Sequence, residues 1–114
     1  VSALRERLDI LFSTNTISPN AMKICQATIE KFIDEGNEKK YRKLVTHLAM
    51  AITRIERGEE LNAPPEHIMK EIRQSPHFSQ AYTNVTWIET QMGQKLPEEE
   101  REFLIMHFVN ASHL

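Results

Sequence analysis

With 114 residues, 40% of them hydrophobic and 26% charged, the chain has the makeup of one globular domain, expected over 1–114, and not of a disordered or membrane-spanning protein. A formal net charge of -2 gives the domain as a whole no electrostatic grip on nucleic acid. Apolar runs of only a few residues, a charged start (VSALRERLDI) and a single cysteine, Cys25, argue against a bilayer span, a signal peptide and an internal disulfide, so a cytoplasmic address is expected.

Leu4, Leu8, Leu11 and Phe12 outline a first short helix that should end near Ser13. Ser18-Pro19 is a helix entry, a hydroxyl cap before a residue whose φ is already set. Met22, Cys25, Ile29, Phe32 and Ile33 then form a second apolar stripe, closed by Gly36-Asn37. Cys25, at a stripe position, reads as a small core residue rather than a nucleophile.

Next comes the central stretch, YRKLVTHLAMAITRIERG. Tyr41, Leu44, Val45, Leu48, Ile52 and Ile55 recur at steps of three and four, one buried helix face, and Gly58 supplies the stop. At 100° per residue His47 falls roughly 120° from the centre of that stripe, with Arg54 two turns on and about 20° away from the same line. The pair is either a shoulder histidine with a solvated arginine or a titratable ring with a cation below it. Lys39, Lys40, Arg42 and Lys43 crowd the head of this helix. Such a run is either a solvated face or a docking point for an acidic protein patch or a phosphate.

Glu59 to Pro65 is a connector in which Pro64-Pro65 forbids helix until Glu66. Ile68, Met69 and Ile72 suggest a brief helix, and Ser75-Pro76 repeats the Ser-Pro entry. Phe78, Ala81, Tyr82, Val85, Ile88 and Met92 then lead up to Gly93. His67 and His77 sit near helix starts, where a charged imidazole is disfavoured, and read as incidental. Pro97, at the first helical position, and Glu98, Glu99 and Glu100 mark the last helix.

That helix is apolar nearly all round: Phe103, Leu104, Ile105, Met106, Phe108 and Val109. It should be buried on more than one side. His107 projects between Phe103 and Leu104, on one line with Glu100 and Ala111. It is either hydrogen-bonded in the core or displayed where subunits meet. With no strand or hairpin signal, the architecture expected is all-α, a bundle of about five long helices.

No Gly-rich phosphate loop, nucleophile with a base at motif spacing, or paired carboxylate in a recognisable cleft is present, so no enzyme is expected. His107 and His113 are six apart and no His-x-x-x-His or Cys-x-x-Cys occurs, so neither a metal nor a cofactor is expected.

Two blocks carry a resemblance. His47, Leu48, Ala51, Arg54, Ile55 and Gly58, and then Gly93, Leu96, Pro97, Glu100, His107, Phe108 and Ala111, are similar to the signature of the PTS regulation domain, the PRD module of bacterial sugar-operon antiterminators and activators of transcription. The match is specific in these blocks and weaker before Lys39. It implies a compact five-helix bundle, two antiparallel pairs plus a crossing helix, that forms a homodimer. It further implies that His47 and His107 are phosphoacceptors, served by HPr or a sugar-specific EII permease component. Arg54 and Glu100 are then the candidates to support the phosphate or the partner. Thr46 stands where the family often has Asp. Family regulators usually carry two such modules behind a nucleic-acid-binding domain, so the chain is either a stand-alone module or part of a longer regulator. The alternative function is an unphosphorylated helical dimerisation module.

Overall fold

The computed structural model describes residues 1–113. They form six helices: α1 (Ser2–Ser13), α2 (Pro19–Phe32), α3 (Glu38–Glu56), α4 (Glu66–Arg73), α5 (Phe78–Met92) and α6 (Glu98–Ser112). The all-α expectation holds, with six helices instead of five. The sixth is the eight-residue α4, whose Met69 and Ile72 are buried. No helix among the described residues is long and apolar enough to cross a membrane. The chain falls into two compact units, Val1–Glu60 and Leu61–Leu114.

In the first unit α2 and α3 form an antiparallel pair, since the start of α2 meets the end of α3. Ser18 caps α2 by accepting from the Ala21 N–H (3.1 Å), and Pro19 follows at N1. The Ser18 N–H donates to Thr53 Oγ1 (3.0 Å), which donates to the Ala49 carbonyl (2.9 Å). A buried hydroxyl thus stitches the two helices. Ala21, Ile24, Cys25, Thr28 and Ile29 of α2 are buried, as are Leu44, Val45, Leu48, Ala49, Ala51 and Ile52 of α3. Burial pushes the Cys25 thiol up to about 12, so it is a core residue and not a thiolate. Leu4 and Leu8 add α1 to this core. Phe12, expected in the stripe, is exposed, as is Ile10.

Three boundaries differ from expectation. α2 stops at Phe32, ahead of Gly36, because Ile33 turns extended (φ -120, ψ 134). Asp34 and Asn37 then bond each other's N–H groups (2.8 and 2.9 Å), a local alternative to helix that these side chains favour. At Ser75-Pro76 the hydroxyl accepts from the His77 N–H (3.1 Å) and the chain makes a turn, so α5 begins only at Phe78. Pro97 likewise precedes α6, as its N-cap. Gly58 and Gly93 both take the left-handed conformation (φ 68 and 74) that ends α3 and α5.

In the second unit α5 and α6 form another antiparallel pair, and α4 lies against α6. The buried residues of α5 are Ala81, Val85 and Ile88, and those of α6 include Leu104, Ile105, Phe108 and Val109.

Thr53→Val keeps the side chain's shape but removes the oxygen that Ser18 needs. It is expected to lower unfolding stability by about 1–3 kcal/mol, measured by urea denaturation of the two proteins.

Candidate functional site

On α3 the buried stripe fixes what every other side chain does. With Leu44, Val45 and Leu48 fully inside, the rotation of the helix leaves His47 and Arg54 half-buried at its margin. They are seven residues, or about 10 Å of axial rise, apart on nearly one line. Both are engaged by neighbours. Beside His47 in sequence, and about 100° round the helix from it, is Thr46, half-buried overall, whose Oγ1 is buried and has no hydrogen-bond partner among the described residues. A helical threonine ordinarily bonds back to the carbonyl one turn earlier, as Thr53 does; Thr46 does not.

On α6 the arrangement is inverted. Glu100 stands seven residues before His107, in the first turn, and is 1% exposed. Its negative charge suits the positive end of the helix. His107 is half-buried, and both residues are engaged by neighbours. The structure therefore places His47 with Arg54 on one helix of the first unit, and His107 with Glu100 on one helix of the second. His113 meets His77, ring centroids 5.0 Å apart and nearly perpendicular. Among the described residues no group of three or more His, Cys, Asp or Glu comes together to hold a metal.

What positions α6 is a polar latch that the sequence reading missed. Glu89 of α5 accepts from Arg101 (2.6 Å) with one oxygen and from the Leu96 N–H (2.7 Å) with the other. Arg101 also lies over the Tyr82 ring, 4.3 Å from its centroid. Tyr82, expected in the core stripe, is 49% exposed, so its role is to cover the guanidinium. A signal existed: Glu89 and Arg101 are equidistant from Lys95, the middle of the turn in an antiparallel pair. The latch floors a cavity of about 410 Å³ rimmed by Lys95 and Glu98. Both oxygens of Glu89 are already bonded and its charge is balanced by Arg101, so this floor is a structural joint.

The family model for the PRD domain matches residues 20–111, most of the chain. The chain belongs to the PRD domain family. No curated protein and no solved structure matches it significantly. PRD domains are regulatory domains governed by the phosphotransferase system, a family of controllers and not of catalysts. In this PRD chain the matched span holds both histidines, Arg54, Glu100 and the whole latch.

Two substitutions test the geometry. Glu89→Ala strands Arg101 and the Leu96 N–H, and is expected to cost about 2–4 kcal/mol in a denaturant titration. Thr46→Val removes an unsatisfied buried hydroxyl and is expected to leave stability unchanged or raise it by up to about 1 kcal/mol.

Proposed function

We propose that this PRD domain is a phosphorylation-responsive switch of a bacterial sugar-operon transcription regulator, either an antiterminator or an activator, acting in the cytoplasm. His47 and His107 receive phosphate from HPr or from a sugar-specific EII permease component, and the modification changes the state of a homodimer. The observation that carries this reading is the placement of both histidines. Each is half-buried at the margin of a packed helix, inside the span matched by the PRD family. A ring so placed is held in one orientation yet keeps an open side. The family match also runs across the boundary between the two compact units, which supports treating 1–114 as one regulatory module.

In the transfer, the bond from phosphorus to the donor's side chain breaks as a phosphorus–nitrogen bond forms on the acceptor imidazole. The attacking ring nitrogen is the one without a proton; once it carries the phosphoryl group the other ring nitrogen releases its proton, and the freed donor side chain takes one up. The ring then bears a group of about two negative charges, like other phosphorylated side chains. Two like unit charges 4 Å apart at an effective dielectric of 20 repel by about 4 kcal/mol. An arginine within reach returns a comparable amount. Reversing a two-state equilibrium from 1:99 to 99:1 takes about 5.5 kcal/mol. One phosphate therefore biases a dimer strongly, and two can reverse it. Arg54 is the candidate to hold the phosphate on His47. Glu100, buried in the first turn, is suited to fixing the N-terminal end of α6, two turns before His107.

The second reading is an unphosphorylated dimerisation module. It draws on Thr46, whose orphaned hydroxyl sits where the family often has Asp.

The deciding experiment incubates the domain with phosphoenolpyruvate, the general phosphotransferase enzymes and HPr, and locates phosphate by mass spectrometry under alkaline conditions. Label is expected on His47 and His107, each lost in the matching alanine variant, with a change in mass by light scattering. Arg54→Ala is expected to slow labelling of His47 roughly tenfold. A wild-type protein left unlabelled by both HPr and the permease component would establish the second reading.

A further inference from the structure

The start of α3 is built against its own stability. Lys39, Lys40, Arg42 and Lys43 fall in its first six residues, and all four are exposed. A helix N-terminus carries partial positive charge, so cations belong at the opposite end. α4 obeys this, beginning with Glu66 and ending with Lys70 and Arg73, and α6 begins with three glutamates. In α3, moreover, Lys39 and Lys43 are four apart, and Lys40 and Lys43 three apart, spacings at which like charges repel.

Relief among the described residues is slight: Glu38 attracts Arg42. Glu38, the one acid of that first turn, turns its carboxylate to the Leu4 N–H of α1 (2.8 Å). Asn37, the N-cap, gives α3 no side-chain bond and serves Asp34 and Phe32 instead. Lys39, Lys40 and Lys43 form no salt bridge among the described residues. Their placement explains what their energetics do not. Lys43 and Lys40 lie four and seven residues before His47, within about 40° and 20° of its line, and Arg54 continues that line beyond it. A row of cations therefore runs down the helix to the imidazole.

We infer that Lys40 and Lys43 form the docking surface for the protein that delivers phosphate to His47, and that the donor presents an acidic patch beside its phosphoryl group. This rests on the phosphoacceptor reading above and adds to it a partner-recognition site. The run steers encounter and lets the phosphoryl group approach along positive potential, which acts on association rate and salt dependence.

The test measures binding and transfer separately. The full chain and its Lys40→Glu/Lys43→Glu variant are titrated with unphosphorylated HPr, and with the unphosphorylated permease component, at low and high salt. The same pairs are then assayed for labelling of each histidine. Wild type is expected to bind one donor in a salt-sensitive way, and the variant to bind it at least roughly tenfold more weakly. Labelling of His47 should slow by a similar factor while His107 keeps its rate. The variant should melt no lower than wild type, since the exchange suits the helix dipole. Loss of donor binding in the variant, with no label on either histidine of wild type, would uphold docking and sink the phosphoacceptor reading. Equal labelling of His47 in both proteins at every salt would do the reverse. Docking is also overturned if wild type binds neither donor, or if the two lysines prove to govern salt-sensitive binding of RNA.

Discussion

Burial of Leu44, Val45, Leu48 and Ile52 is the constraint from which the rest of α3 follows. A rigid helix has a single rotational phase. Each of those side chains contributes roughly 1.5–3 kcal/mol by leaving water, whereas any preference of His47 for a wetter or drier setting is smaller. The stripe therefore decides, and the line carrying Lys40, Lys43, His47 and Arg54 is carried to the margin with it. The placing of that line is a by-product of packing phase. Thr46, about 100° round the helix from His47, is carried by the same phase to a place where its hydroxyl is buried without a hydrogen-bond partner among the described residues.

On α6 the phase cannot be chosen in that way, because apolar residues occur on nearly every side and no narrow stripe distinguishes a best rotation. The choice falls to polar contacts of fixed geometry. Glu89 binds the Leu96 N–H before the helix and Arg101 within it, so the entry and the first turn are referred to one carboxylate. Tyr82 shields the guanidinium from one side. The two histidines are therefore positioned by different physics, non-directional burial for His47 and directional bonding for His107.

This difference explains what could be read from the sequence. The six helical segments, the Ser18-Pro19 cap, the proline block before Glu66 and the glycine stops at 58 and 93 rest on local rules, and the structure agrees with them. The margin position of His47 and Arg54 follows from the period of 3.6 alone. The end of α2 and the start of α5 were misplaced because side chains at Asp34, Asn37 and Ser75 compete with helix through short-range bonds of their own. Tyr82 fits the apolar period, yet its face is claimed by Arg101. The latch pairs residues across a turn, where no local periodicity applies. His107 was singled out by resemblance, since an amphipathic reading of α6 has little to work with.

The five residues from Gly93 to Pro97 are tied at both margins to the same residue, the Gly93 N–H donating to the Glu89 carbonyl (2.9 Å) and the Leu96 N–H to the Glu89 carboxylate. Gly93 closes α5 in a left-handed conformation, and Glu89 grips the chain just before α6. An extra residue in this span would shift the Leu96 amide or the whole of α6 by one register step, and Glu89 could no longer meet both partners. Length variation among descendants of this chain should accumulate in the proline connector after Gly58, leaving the hairpin before Glu98 frozen in size.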